Sequence, residues 1–204
     1  MNTDATPTRT RLLNAALGIV REQGYEATTV DELCAAAGVS KGAFFHHFAS
    51  KEALAVAAAE HWNAVTSALF ANAPYHLLDD PLDQLVAYID FRAALLDGRS
   101  IPEATCYLGT MVQETYGSHP VIREACFAGI AGHARTIEEI IRAAKARHAP
   151  QASWSAEGLA LHTQAVLQGA FVLAKAKNDL NLARESILHL RRYIELLFHY
   201  AKED

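Results

Sequence analysis

The chain has 204 residues, of which 51% are apolar and 20% are charged, and its formal net charge is −5. This composition supports a sizeable core and excludes an intrinsically disordered chain. The first ten residues are polar and no apolar stretch approaches the ~20 residues of a membrane span, so a cytoplasmic protein without a membrane partner is expected.

Apolar residues recur at spacings of three and four, and alternating β-branched runs are absent, which predicts an all-α fold. Three short helices are predicted within residues 9–48. Thr8 is expected to cap the first helix, which Gly24 ends, and Thr29 the second, with Glu32 completing a capping box. Gly38 breaks this second helix after about Ala37, and a third short helix follows.

Six longer helices are predicted beyond the short ones, with Pro81, Pro102 and Pro120 in the first turns of three of them. They cover about 51–71, 81–98, 102–116, 120–148, 155–177 and 180–201. The nine helices divide by length into a small head, residues 1–50, and a larger helical body, residues 51–204.

Residues 28–54 have the pattern of a helix-turn-helix. Gly38 supplies the positive φ of a tight turn. On the next helix Phe44 and Phe48 are predicted to face inward with Phe45 beside them. The side chains left pointing outward are Ser40, Lys41, Ala43, His46 and His47.

This outward face suits the major groove of DNA. Gly42 and Ala43 let the helix approach closely, and the face ends in hydrogen-bonding side chains. Lys51 is expected to meet a phosphate at the start of the following helix, and Thr29 a second phosphate beside backbone N–H groups. Double-stranded DNA is therefore the predicted partner.

The net negative charge of residues 1–60 is unfavourable for DNA binding. Over residues 1–60, seven Asp and Glu outnumber five Lys and Arg, whereas DNA-binding modules are usually basic. The positive charge must therefore act locally, through a few placed side chains.

The run TTVDELCAAAGVSKGAFFHHFASKEAL resembles the N-terminal domain of TetR-type (TetR/AcrR) helix-turn-helix regulators. The positions that match the family motif are Thr29, Leu33, Ala37, Gly38, Val39, Ser40, Gly42, Phe48, Ser50, Lys51 and Leu54. The resemblance implies a transcriptional regulator, in most cases a repressor, rather than an enzyme. It also implies that Phe45 lies at the DNA-contacting position usually held by Tyr.

Two departures from the family motif concern the end of the recognition helix. Phe45 lacks the hydroxyl of the usual Tyr, and His46 and His47 follow it. Histidine gains a positive charge in mild acid, so operator affinity is expected to rise as the pH falls.

The resemblance further implies an Ω-shaped homodimer that binds a palindromic operator, with the last two helices of each subunit in a four-helix bundle. Their apolar stripes fit that role, although both stripes could instead be buried in the core of one chain. The predicted dimer residues are Leu159, Val166, Leu167, Ala170, Ile187, Leu190, Ile194 and Leu197.

A ligand pocket within each helical body is also implied, and a largely apolar small-molecule effector is the predicted second partner. The segment 101–116 offers aromatic, sulfur-containing and polar side chains, with further aromatic residues on other helices. The candidate residues are Trp62, Phe70, Phe91, Cys106, Tyr107, Thr110, Met111, Gln113, Glu114, Tyr116, Phe127 and Phe171, although ordinary helical core explains many of them equally well.

Three alternatives remain open from the sequence. An enzyme would need a nucleophile, base or metal cluster at helical spacing, and none is evident, so no metal or cofactor is expected. A redox-sensing repressor would use Cys106 and Cys126 as its switch. A DNA-binding protein that responds to no ligand is the third alternative.

Overall fold

The computed structural model describes residues 6–199, and this part of the chain contains ten α-helices and no strand. The helices are α1 (Thr8–Gln23), α2 (Val30–Ala37), α3 (Lys41–His47), α4 (Lys51–Ala71), α5 (Pro81–Ala94), α6 (Ile101–Ala104), α7 (Tyr107–Thr115), α8 (Pro120–His148), α9 (Ala156–Lys177) and α10 (Leu180–Leu197). A 3₁₀ helix, Pro74–Leu77, precedes α5. The predicted all-α fold is confirmed.

The tenth helix arises where a single helix was predicted over 102–116. Cys106 adopts an extended conformation, with φ −79° and ψ 126°, and serves as the N-cap of α7, so Pro102 belongs to the separate one-turn helix α6. α5 ends at Ala94, before the expected limit at Gly98. The predicted extension of the last helix to about Ala201 reaches beyond the described residues, and α10 ends at Leu197.

Side-chain caps account for most of the correctly predicted helix starts. The Asp80 carboxylate accepts hydrogen bonds from the backbone N–H groups of Leu82 and Asp83, and the Ser155 hydroxyl accepts one from Gly158. The cap predicted for α1 is wrong by one residue, because Thr8 is already helical and Pro7 is the N-cap, without a side-chain hydrogen bond.

The helices form two compact units, which we call the head unit and the body unit. The head unit comprises the chain up to Thr66 together with Thr105–Gly129, and the body unit comprises Ser67–Ala104 and the chain from Ile130 onward. The head unit thus combines the predicted head with residues 51–66 and a second, distant segment.

Each unit has its own core. In the head unit α1 packs against α2, α3 and α7, around side chains such as Leu12 and Leu33. In the body unit α10 packs against α9 and α5, and Ile187 and Ile194 on α10 are fully buried. None of the described helices combines the length and apolar character required to cross a membrane.

Candidate functional site

The two ends of α2 are determined by local residues. Thr29 Oγ1 accepts a hydrogen bond from the Glu32 N–H at 3.2 Å, and the Glu32 carboxylate accepts one from the Thr29 N–H at 2.8 Å, so the predicted capping box is confirmed. Gly38 adopts the left-handed conformation, φ 62° and ψ 43°, that a residue with a side chain rarely tolerates. The start of α2 and its exit towards α3 are thus fixed by local chemistry.

α3 separates a buried side from an exposed side. Phe44 is fully buried and Phe48 is 5% exposed, while the Ser40 hydroxyl caps the helix by accepting a hydrogen bond from the Ala43 N–H. Phe45 is 51% exposed and so does not face inward beside Phe44, because one helical residue turns the side chain by about 100°. Its exposure agrees with the DNA-contacting position that the family resemblance implies. Its ring edge still contacts Phe44, with 5.1 Å between centroids.

The exposed side of α3 carries the predicted DNA-contacting residues. Ser40, Lys41, Gly42, His46 and His47 are exposed and Ala43 is half-buried. A Cβ atom placed on Gly42 would meet nothing closer than the Ser40 hydroxyl at 3.8 Å, so packing within the chain does not require glycine there. The small residue instead leaves room for an approaching surface.

The cationic side chains near this face already have contacts within the chain. Lys41 Nζ lies 2.9 Å from Asp31 Oδ1 on α2, and both side chains are exposed. The hydrogen bond and charge of Asp31 raise the pKa of Lys41. The sequence did not single out Arg9 or Arg11, yet the Arg9 guanidinium lies over the Phe48 ring and the exposed Arg11 reaches the Gly38 carbonyl at 3.4 Å. Only the contacts of α1 with Gly38 and Phe48, absent from local patterns, would have revealed them.

Lys51 has partners within the chain. Its ammonium donates hydrogen bonds to the carbonyls of Tyr25 at 2.9 Å and Thr28 at 3.0 Å, and lies 4.1 Å from the centroid of the Tyr25 ring. These contacts tie the start of α4 to the connection between α1 and α2. Its contact with a phosphate stays a prediction.

Glu114 connects α7 to the same connection. Its carboxylate accepts hydrogen bonds from the backbone N–H groups of Tyr25 at 2.9 Å and Glu26 at 3.1 Å, and a Cβ on Gly24 would come within 2.4 Å of it. His119 lies between Glu52, at 3.0 Å, and Glu26, at 3.5 Å. We therefore revise the prediction that Glu114 lines a ligand pocket, because its carboxylate is occupied by backbone donors.

The other predicted pocket residues of the head unit have several different environments. Tyr107 and Met111 are fully buried, and the Tyr107 hydroxyl donates to the Ala55 carbonyl at 3.3 Å, with the Trp62 ring at 6.5 Å. The side chains of Thr110 and Gln113 donate to carbonyls one turn back in their own helix, and Cys106 is half-buried. Tyr116 and Phe127 are 66% and 65% exposed.

The predicted pocket residues of the body unit are Phe70, Phe91 and Phe171. Phe70 and Phe171 are buried and Phe91 is half-buried. The rings of Phe70 and Phe91 meet edge to face at 5.9 Å between centroids. The body unit thus contains a pair of aromatic side chains in contact, Phe70 and Phe91.

A polar cluster beside these rings was not predicted from the sequence. We call it the Tyr88 cluster, and it comprises Tyr88 and Arg92 of α5, His133 of α8 and Gln164 of α9. The fully buried Tyr88 hydroxyl lies 2.9 Å from His133 Nε2 and also interacts with Gln164 and Arg92. Burial, reinforced by the charge of Arg92, lowers the pKa of His133 to about 3, so this imidazole is neutral at physiological pH.

The sequence contained one signal for this cluster. Tyr88 and Arg92 are one helical turn apart and so share a face of α5. His133 and Gln164 lie 45 and 76 residues beyond Tyr88, and no local pattern connects them to it.

The two candidate redox cysteines lie in the head unit. Cys126 is fully buried, and burial, with a smaller contribution from Cys106, raises the pKa of its thiol to about 12. A thiol that stays protonated is a poor nucleophile. Its environment is therefore unlike that of a reactive cysteine.

Most of the predicted dimer residues are buried within the single chain, as the second interpretation of the two stripes allowed. The buried ones are Leu159, Leu167, Ala170, Ile187, Leu190 and Ile194, whereas Val166 and Leu197 are half-buried. The large apolar side chains that α9 and α10 expose are Leu161, Val172, Leu173, Leu188, Tyr193 and Leu196. Of the predicted dimer residues, Val166 and Leu197 are therefore the ones with surface left for a partner, and the dimer interface stays a prediction.

Comparison with known proteins identifies both parts of the chain. Residues 12–58 match the model of bacterial regulatory proteins of the tetR family, and residues 81–190 match that of the tetracyclin repressor-like C-terminal domain. The HTH-type transcriptional regulator UidR of Escherichia coli is 48% identical over 54 residues, which are 26% of this chain and 28% of UidR.

Two further comparisons extend beyond the head. The transcriptional regulator AcuR of Cereibacter sphaeroides is 30% identical over 129 residues, 63% of this chain and 49% of AcuR. The crystal structure of a TetR transcriptional regulator from Chloroflexus aurantiacus superimposes with a TM-score of 0.77 at 27% identity, covering 92% of this chain and 93% of that one. The chain belongs to the TetR family of helix-turn-helix transcriptional regulators, which bind DNA and are not enzymes.

Proposed function

We propose that the protein is a homodimeric repressor that acts in the cytoplasm, binds a palindromic operator through α3 and leaves it when a small molecule binds the body unit. The observation that carries this proposal is the exposed side of α3, held in place by the capping box of Thr29 and the left-handed Gly38. The match of residues 81–190 to a repressor-like domain supports repression rather than activation.

Dimerisation would provide affinity that the acidic head lacks. Two recognition helices about 34 Å apart would each enter the major groove on one side of the duplex. The exposed apolar side chains of α9 and α10, such as Val172 and Leu196, would be covered in the dimer. These side chains replace the core residues first predicted for that interface.

A small molecule would act by differential affinity. If it binds more tightly to dimers whose two α3 helices do not match successive major grooves, it shifts the population away from DNA. The aromatic side chains of the body unit, including Phe70 and Phe91, would contact its apolar part.

DNA binding can be tested without knowing the operator. Duplexes selected from a random library by the purified full chain should be palindromic, and fluorescence anisotropy should show that Lys41→Ala weakens binding by about tenfold or more. Lys177→Ala removes an exposed lysine of α9 and should leave affinity within about twofold. No enrichment of any duplex, or equal effects of the two substitutions, would contradict the proposed role of α3.

Dimerisation has a separate test. Sedimentation should show a dimer for the wild type and a monomer for Val172→Asp, because a charge placed in a covered apolar contact is costly. The matched control is Leu77→Asp on the 85% exposed leucine of the 3₁₀ helix, which should remain dimeric. A dimeric Val172→Asp would place the interface elsewhere.

A further inference from the structure

Arg92 differs from four other arginines of the body unit. Those four pair with carboxylates, as Arg142 with Glu138, Arg147 with Asp80, Arg184 with Asp97, and Arg191 with Asp90 and Glu195. Among residues 6–199 no carboxylate forms an ion pair with Arg92. Its guanidinium instead lies over the Phe70 ring, 5.1 Å from the centroid.

The other groups around Arg92 are neutral hydrogen-bonding side chains. His133 is uncharged, and burial raises the pKa of Tyr88, so the phenol keeps its proton. Gln164, 6% exposed, is neutral by nature. The Tyr88 cluster therefore carries a single positive charge at neutral pH, in surroundings where water screens it poorly.

This set of groups favours an anion. A guanidinium can bind both oxygens of a carboxylate, and an amide can donate a further hydrogen bond. The Tyr88–His133 pair can donate one more, because one of its two members already donates to the other. A half-buried cation without a counterion also loses hydration that the ring beneath it replaces only in part. An anionic ligand would restore the missing charge balance.

Aromatic rings surround the charged group. Tyr75 packs edge to face on Tyr88 at 5.6 Å and on Phe91 at 6.0 Å, and the Phe70 ring lies 4.4 Å from that of His133. A ligand held at Arg92 would therefore place its remaining atoms against aromatic carbon. Arg92, Phe91 and His133 are half-buried, so the cluster is not sealed from solvent.

We propose that the Tyr88 cluster binds the carboxylate of a small organic acid with an apolar body, and that Arg92 selects this acid over neutral molecules of the same shape. The inference deepens the proposed function, since it assigns a chemical class to the effector. It rests on that function only for the consequence at the operator, because binding itself can be measured without DNA.

The test uses the full chain and three acids with their amides: benzoate and benzamide, phenylacetate and phenylacetamide, hexanoate and hexanamide. Calorimetry should give a Kd below about 1 mM for at least one acid, with its amide weaker by about tenfold or more. Arg92→Gln should weaken binding of that acid about 30-fold, the expected loss of a charged hydrogen-bonded partner.

Two further variants separate binding from folding. Arg184→Gln removes an arginine of the same unit that has its own carboxylate partner, and should keep the acid's Kd within about twofold. Tyr88→Phe preserves the packed ring and should weaken the acid about fivefold through loss of one hydrogen bond. Thermal unfolding followed by circular dichroism shows whether each variant is folded.

Each outcome bears on the inference. It is overturned if no acid binds below about 10 mM, if an amide binds as tightly as its acid, or if folded Arg92→Gln keeps the wild-type affinity. If no acid binds but selected duplexes do, the cluster assignment fails and the proposed DNA-binding function stands. If an acid binds through Arg92 but no duplex is enriched, the cluster assignment stands and the proposed DNA-binding function fails.

Discussion

Lys41 in the head unit and Arg92 in the body unit are both cations at proposed binding sites, but their surroundings differ. Lys41 is exposed and pairs with Asp31 at 2.9 Å, whereas Arg92 is half-buried over Phe70 among neutral groups. An exposed cation exchanges partners with water and salt at little cost, which suits a polyanion reached from solution. A half-buried cation without a counterion retains a strong attraction for an anion, which suits the binding of one small anionic ligand.

Substitutions on the two sides of α3 test whether the buried side stabilises the fold while the exposed side contacts DNA. Phe44→Ala removes a fully buried ring and should lower the free energy of unfolding by about 4 kcal/mol. The adjacent Phe45→Ala, at a 51% exposed position, should change stability by less than about 0.5 kcal/mol and act mainly on DNA affinity. Urea unfolding followed by circular dichroism measures both, and similar losses would contradict this division.

The neutral His133 of the body unit makes stability depend on pH. Its pKa is lowered from 6.5 to about 3, so below pH 6.5 the unfolded chain binds a proton that the folded chain does not, and stability falls as the pH falls. At pH 5 this cost is about 2 kcal/mol. His133→Gln, which keeps a polar group near Tyr88, should reduce the stability difference between pH 7 and pH 5 by that amount.

The control for His133 is His189→Gln on an exposed histidine of α10, which should change the free energy of unfolding by less than about 0.5 kcal/mol. Urea titrations at both pH values provide the measurement. Equal pH dependence in wild type and His133→Gln would mean that His133 is not buried as a neutral group.

The capping box of α2 should contribute a smaller amount. Thr29→Ala removes the hydroxyl that accepts the Glu32 N–H and should lower the free energy of unfolding by about 1 kcal/mol. Thr136→Ala, within the exposed part of α8, should cost less than about 0.5 kcal/mol. If thermal unfolding gave the same small shift for both, the cap would not stabilise α2.

Breaking the ion pair of Lys41 is expected to cause the smallest effect, a change in DNA affinity. Asp31→Asn removes a negative charge near the proposed DNA surface and frees Lys41, so affinity for a selected duplex should rise about threefold at low salt and less at high salt. Asp97→Asn breaks an arginine pair in the body unit and should not alter affinity. Unchanged affinity in Asp31→Asn would argue that Lys41 does not meet DNA.

The head was more predictable than the body because its structure depends on local signals. Thr29, Gly38 and Ser40 act on neighbours within a few residues, and the sequence shows them directly. The residue pattern placed Phe45 beside the inward Phe44 and Phe48 because the order of close aromatic residues alone does not fix the packed side, whereas the family resemblance placed it on the DNA-contacting side.

The body depends on contacts that sequence spacing does not reveal. Apolar stripes on α9 and α10 were visible, but which stripe faces inward depends on α5 and on the packing of α10 against it. The Tyr88 cluster joins three helices, and Glu114 meets Tyr25 across 89 residues. Only folding brings these groups together.

The contact between Glu114 and the backbone of Tyr25 also bears on how such a regulator could be recombined. A gene exchange that replaced the first 50 residues would pair the N–H groups of Tyr25 and Glu26 with whatever residue the recipient carries at position 114. Position 24 would be affected in the same way, because a Cβ atom added there would lie against the Glu114 carboxylate. The head unit is therefore discontinuous in sequence, and we expect its first segment to fit best into recipients that supply a matching acceptor on α7.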